Sequence, residues 1–405
     1  MTMRRGACPT LLKPMQTGDG LLVRFAPAPG RLTPSRLKAI GEAAEQHGNG
    51  LVEITSRGKL QVRGLTAESA PLLAERICEL ELGLADGLQV ETGPLAGSAA
   101  DEIANPLPLV DRITRLIAKN GLAEALAPKV SVMVDGGGAL HLAEISADIR
   151  IEAAPDGQWR IGVGGNGATA RWLGQADADH AAATAVAILG LLVDRTGLMR
   201  AQHLRDEVLD ELAGGLTPAS SPPAFDHPTP VGDFPLRGGE TAHGFAMSFG
   251  QARGADLARF AEAADGAREI RLAPGGGLVV LGLPHGRVTA LRATARELDF
   301  IVDAEDTRLL IVACAGAPSC AAAFFDAKAV GRDLAGSGLL DGSFRVHLSA
   351  CVKLCAQPFG RKATLIGRKR DCILSADGAM PDGALETFLT ERGEAHRTTP
   401  RRKKS

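Results

Sequence analysis

Cys314 and Cys320 are separated by five residues, and Cys351 and Cys355 by three. Four thiolates delivered as two close pairs on two loops are the usual ligand set of an iron–sulfur cluster. Two other readings stay open at this point: four structural thiols, or a zinc site. Zinc pairs usually lie roughly two to four residues apart, so the five-residue spacer is unusual for them. A cluster would give the chain one-electron chemistry. Two cations of the first half, Arg57 and Arg63, form a second group. Fixed positive groups of this kind bind carboxylates, arginine in bidentate fashion. A solvent-facing arginine pair is the ordinary alternative.

Other residues carry weaker signals. Gly162-Val-Gly164-Gly-Asn-Gly167 matches G-x-G-x-x-G, but the next helix begins well after it, near Asp177. A dinucleotide fingerprint needs a tight strand–turn–helix, so the run reads as a glycine turn. His141 and His347 read as packed or hydrogen-bonded side chains. Cys78 reads as core on an apolar helix face, Cys372 as a strand residue, and Cys8 is left open.

The elements around these residues follow from composition and period. The 405 residues allow two or three domains, and a net charge of -2 with 3% aromatics gives no footprint for nucleic acid. The start lacks an apolar h-region, and the longest apolar run, Ala181 to Val193, is too short to span a bilayer. A cytoplasmic protein with no membrane contact is expected, its odd set of seven cysteines reduced rather than cross-linked.

The Pro/Ser-rich stretch 214–230 divides the chain into similar halves. Each half reads strand–helix–hairpin. The first has a strand from Gly18 to Phe25, a helix from Thr33 to His47, and strands Leu51–Ile54 and Leu60–Leu65 around Arg57-Gly58. The second has a strand from His243 to Phe249, a helix from Ala255 to Ala264, and a pair around Gly275-Gly-Gly277. Pro274 and Leu281 replace the arginines there, which suggests a duplicated scaffold with one functional site. Val130 to Arg150 reads as a hairpin turning at Asp135-Gly136. The expected domains are 12–85, 90–213, 231–300 and 305–390, with a disordered basic tail at 396–405.

The segments Ile311-Val-Ala-Cys314 and Val346-His-Leu-Ser-Ala-Cys351-Val-Lys-Leu-Cys355-Ala-Gln-Pro358 resemble the cluster signature of the sulfite and nitrite reductase family. Ile54-Thr-Ser-Arg57-Gly-Lys-Leu-Gln-Val-Arg63-Gly64 resembles its basic substrate hairpin, and Pro128-Lys129-Val-Ser131 its basic strand start. Within that family, Arg5-Gly-Ala-Cys8-Pro9, Pro14-Met15, Thr17 to Arg24, Gly93-Pro-Leu-Ala-Gly97 and Val134-Asp-Gly-Gly-Gly138 with Ala147-Asp-Ile-Arg150 are similar to the precorrin-3B synthase branch.

The resemblance implies an α+β, pseudo-twofold fold: two ferredoxin-like halves plus two α/β units. It implies a cytoplasmic monooxygenase of aerobic cobalamin biosynthesis that hydroxylates precorrin-3A with O2 and forms a lactone. A 4Fe–4S cluster on Cys314, Cys320, Cys351 and Cys355, a separate mononuclear non-haem iron, and NADH as electron source come with it. A flavoprotein or ferredoxin is the expected immediate reductant, and Arg57, Arg63 and Lys129 are the expected substrate cations; the same three would serve sulfite or nitrite equally well, and a snorkelling lysine is the ordinary alternative for Lys129. The alternatives are a sirohaem-dependent sulfite or nitrite reductase, and a non-catalytic electron carrier or zinc-stabilised scaffold. The chain departs from the reductase pattern at Ser131, where a second lysine is usual, and at Ala350 and Leu354, where glycines are usual. It also lacks the sirohaem-side arginine near Gly93 to Ala99.

Overall fold

The computed structural model describes residues 9–84, 87–127, 129–193, 199–219, 227–358, 360–377 and 383–398. Cys8, Pro128 and residues 399–405 of the basic tail lie outside them. The chain divides into two compact units, one built on residues 83–228 with 233–242, the other on 9–82 with 229–232 and 243–405.

The larger unit contains the duplicated scaffold. Strands Met15–Thr17, Gly20–Phe25, Leu60–Leu65, Leu51–Ile54 and Gln251–Arg253 form one antiparallel sheet in that order. Helix Pro34–His47 starts where the Thr33 side chain accepts the Arg36 N–H and proline fills the first position. Its apolar stripe Leu37, Ile40 and Ala44 is wholly buried. A Cβ on Gly41 would stand 2.3 Å from the Gly254 carbonyl oxygen, so helix Gly254–Ala263 of the second half packs on it backbone to backbone. In the second half, residues 243–246 pair antiparallel with 277–280, and 277–281 with 269–273.

A further sheet in this unit, separate from both of these, places the cysteines. Strands Ile311–Ala313, Arg345–Ser349 and Lys362–Gly367 run parallel, and Cys372–Ala376 closes the edge antiparallel. Helix Ala327–Ala335 begins at Asp326, whose carboxylate accepts the Lys328 and Ala329 N–H groups. Phe325, Val330, Leu334, Val346, Leu348, Leu365 and Leu389 form the core beneath.

The smaller unit is a five-stranded sheet in the order Val90–Glu91, Val132–Asp135, Ile149–Ala153, Trp159–Val163, Arg171–Ala176. Helices Leu107–Lys119 and Ala178–Leu191 contribute to the core on one face, where Val132, Val134, Ile149, Ile151 and Ile161 are buried. The intervening positions Asp135, Arg150, Glu152 and Arg160 point to the other face and are also buried.

The expected hairpin at Asp135-Gly136 is corrected here. Val132–Asp135 pairs parallel, not antiparallel, with Ile149–Ala153. Residues 136–148 form a crossover loop instead of a tight turn. Asp135 accepts the N–H groups of Gly137 and Leu142, and Arg150 donates to the carbonyls of Leu142 and Ile145. Cys78 is also corrected: it is exposed, one position past the stripe Ala70, Leu73, Ala74 and Ile77 that helix Ser69–Glu79 buries. Among the described residues no helix is long and apolar enough to cross a membrane.

Candidate metal centre

Cys314 directly follows strand Ile311–Ala313, and Cys351 lies two residues beyond strand Arg345–Ser349. These strands are parallel neighbours with Ala313 opposite Leu348, so both cysteine loops leave the same carboxyl edge. That edge is where open parallel sheets bind ligands. The ladder continues to the first cysteine, whose N–H donates to the Leu348 carbonyl at 3.0 Å. Its Sγ accepts the Ala350 N–H at 3.3 Å, which links the two loops.

Cys314 and Cys351 are buried, Cys320 is half-buried and Cys355 is exposed. Burial pushes the Cys314 thiol up, the backbone N–H groups of Ala350 and Gly316 oppose this, and neighbouring Cys351 and Cys320 add to it. Burial raises Cys355 as well, with Cys351 and Cys320 again contributing. Two thiols are therefore electrostatic neighbours of both others, and all four share one neighbourhood. Among the described residues no three His, Cys, Asp or Glu side chains are grouped as ligands of a single ion. A cubane cluster takes one thiolate on each of its irons, and two loops leaving the same edge of the parallel sheet carry four thiols.

Local contacts shape both loops. The Cys320 N–H donates to the Gly316 carbonyl at 2.8 Å, and the Ala317 N–H to Phe325 at 3.1 Å. On the second loop, Ser349 Oγ donates to the Cys351 carbonyl at 2.8 Å. His347 is fully buried, and its Nε2–H donates to the Cys355 carbonyl at 3.0 Å. Burial holds this imidazole below its usual range, in keeping with a neutral donor.

Leu354 adopts φ 51 and Ala356 φ 63, both left-handed. The glycine that the reductase pattern places at 354 would adopt this conformation without strain, whereas leucine carries a cost of roughly 1 kcal/mol. Replacing Leu354 with glycine is accordingly expected to raise loop stability by about that amount. The check is the unfolding midpoint of anaerobically purified protein; an unchanged or lower midpoint would show that the leucine side chain offsets its strain.

The expected substrate cations fall into two classes. Arg57 is half-buried in the turn between Leu51–Ile54 and Leu60–Leu65, and Lys129 is exposed on the smaller unit. Arg63 is 3% exposed and turned inward. Its guanidinium donates to Asp19, Glu53 and the Ser319 carbonyl. Burial alone would raise Glu53, but Lys328 and Arg63 more than offset it and hold this carboxyl below its ordinary range. Burial likewise opposes ionisation of Asp19, and Arg63 and Thr17 outweigh it. This buried network was not anticipated, although a lone Glu53 in the apolar strand Leu51–Ile54 was its signal.

The run Gly162 to Gly167 joins strands Trp159–Val163 and Arg171–Ala176, which pair antiparallel. No helix follows it directly, so the context of a dinucleotide fingerprint is missing. His141 Nδ1 accepts the Ala143 N–H at 3.2 Å.

Comparison with known proteins agrees with this architecture. Residues 13–80 match the nitrite/sulfite reductase ferredoxin-like half domain. A ferredoxin–nitrite reductase of Synechococcus elongatus is 25% identical, over 92% of this chain and 80% of that protein. The structure of Mycobacterium tuberculosis NirA matches with a TM-score of 0.71 at 21% identity, over 88% of this chain and 73% of NirA, a likeness of fold. A precorrin-3B synthase of Sinorhizobium sp is 37% identical over 399 residues, which is 97% of this chain and 87% of that protein. With that identity along nearly its whole length, the chain belongs to the precorrin-3B synthase family, on a nitrite/sulfite reductase-like fold.

Proposed function

We propose that the chain is an oxidoreductase that hydroxylates precorrin-3A with molecular oxygen and closes an acetate arm of the macrocycle as a lactone. The observation that carries this reading is the 37% identity to a precorrin-3B synthase over 97% of the chain. One atom of O2 enters the macrocycle and the other leaves as water, with two electrons drawn from NADH. Cys314, Cys320, Cys351 and Cys355 are the proposed ligands of a 4Fe–4S cluster. When bound, such a cluster supplies electrons one at a time.

The chain's own residues do the rest. The Ala350 N–H aimed at Cys314 Sγ favours the thiolate form over the thiol. His347 fixes the Cys355 carbonyl and so orients the exposed ligand. Arg57 and Lys129 are each proposed as an anchor for a substrate carboxylate, and a precorrin offers many. The glycine run at 162–167 lacks the setting of a nicotinamide site, which favours a separate flavoprotein or ferredoxin carrying the electrons from NADH. A mononuclear non-haem iron belongs to the reading as well, but no three described side chains are grouped to name its ligands.

The test incubates reduced protein with precorrin-3A under isotopically labelled oxygen and reads the product by mass spectrometry. One labelled atom in the macrocycle is expected; an unlabelled product rejects monooxygenation. Arg57→Ala is expected to raise KM for the precorrin about tenfold or more, the worth of a hydrogen-bonded charge pair. An unchanged KM would remove Arg57 from the substrate site. Sharp haem absorption bands in the purified protein would favour the sirohaem reductase alternative.

A further inference from the structure

We propose that Arg63 is a positioning residue for Cys320, acting from the first ferredoxin-like half on the loop that presents this ligand. The inference rests on the cluster assignment above and concerns what holds that ligand in place.

Arg63 spends four of its five N–H donors inside the protein. Nε and one Nη2 hydrogen go to the two oxygens of Asp19, both at 3.1 Å. Nη1 donates to Glu53 at 3.1 Å. The remaining Nη2 hydrogen goes to the Ser319 carbonyl at 2.8 Å, the shortest of the set. Ser319 is the residue before Cys320. The same carbonyl accepts the Gly18 N–H at 3.1 Å, so two donors converge on one peptide oxygen.

Sterics reinforce the grip. A Cβ on Gly18 would stand 2.6 Å from the Ala321 nitrogen and 2.9 Å from the Cys320 carbonyl carbon. The Thr17–Gly20 turn therefore lies directly against the Cys320 peptide, where only glycine fits. The far end of the loop is tied to the same network. Glu53 also accepts from Lys328 at 2.8 Å, at the start of the helix that follows. Two carboxylates and two cations balance, and their side chains are between 4% and 12% exposed.

A balanced, buried charge set is weak evidence of stabilisation in itself, because desolvation consumes most of its attraction. Its value here lies in directional hydrogen bonds on a backbone that otherwise has only loop contacts. Groups that orient metal ligands from behind commonly govern metal affinity by about ten- to a hundredfold.

The test compares anaerobically purified full-length protein with Arg63→Lys and Gly18→Ala. Lysine keeps the charge but cannot reach Asp19 in bidentate fashion and Ser319 together. Alanine at 18 leaves every charge and displaces the loop. Gly286→Ala, with no atom within 4 Å of its added Cβ, is the control. Both variants are expected to lose cluster absorption to a chelator at least about tenfold faster than wild type. The electron paramagnetic resonance line shape of their reduced clusters should also change, while circular dichroism stays that of wild type. The control should match wild type in all three.

Wild-type bleaching rates and line shapes in both variants would overturn the proposal. So would cluster loss accompanied by collapse of the helical signal, which would make the network a general fold element. Should Arg63→Lys fail to fold, Gly18→Ala decides alone. A wild-type protein without iron and sulfide would instead overturn the cluster assignment, and this inference with it.

Discussion

Replacing Cys314 with serine is expected to abolish the metal centre, lowering bound iron at least about tenfold and bringing labelled-oxygen incorporation to background. Cys314 is built into the scaffold through its backbone and its sulfur. It is 8% exposed, its N–H continues the parallel ladder to Leu348, and its sulfur takes the Ala350 N–H from the second cysteine loop. Serine has nearly the same shape, so the sheet should survive, yet its hydroxyl does not ionise at neutral pH to give the required anionic ligand. The measurement is iron per chain with visible absorption, alongside circular dichroism to confirm the fold. Iron retained at the wild-type level would remove Cys314 from the ligand set.

Arg150→Met is expected to destabilise the smaller unit by about 3–5 kcal/mol. Arg150 is fully buried, donates to Glu152 and holds the Leu142 and Ile145 carbonyls at 3.1 and 2.6 Å. Methionine fills much of the volume but offers no donor. Glu152 would keep only Arg160, at 3.3 Å, and three loop carbonyls, those of Leu142, Ala143 and Ile145, would lose this donor. Burial already pushes the Glu152 carboxyl above its usual range; Arg150 opposes this and Asp135 adds to it. Losing Arg150 would therefore push it further toward the protonated form. The melting temperature should fall on the order of ten degrees. A fall of only a degree or two would mean that the loop 136–148 is held elsewhere.

Much of the scaffold can be read from local pattern. The helix from Thr33 follows from a capping threonine, a proline and an apolar stripe at helical spacing. The hairpin around Arg57-Gly58 follows from two short apolar strands with a glycine turn, and that glycine has φ 69. The two cysteine loops follow from spacing and from the short strands ahead of them. These features need only neighbours in the chain.

What the pattern missed depends on contacts between distant segments. Alternation in Val132–Asp135 and Ile149–Ala153 reveals which residues share a face, but not whether the strands run parallel. The thirteen residues between them could equally have been turn and strand, until Asp135 and Arg150 are seen pinning the loop. Arg63 alternates with Leu60 and Val62 as an outward-facing residue would. Its face is covered by the Ser319 loop, some 256 positions away. Cys78 misled by a single helical step. Leu354 broke a glycine pattern, and the backbone kept the left-handed angle regardless.

The proposed function depends most on the identity of the centre held at the carboxyl edge of the parallel strands. Protein purified without exposure to oxygen, assayed for iron, acid-labile sulfide and zinc, tests it directly. About four irons and four sulfides per chain, with a reduced-state paramagnetic signal, is the predicted result. A stoichiometric zinc, or neither iron nor sulfide, would contradict it.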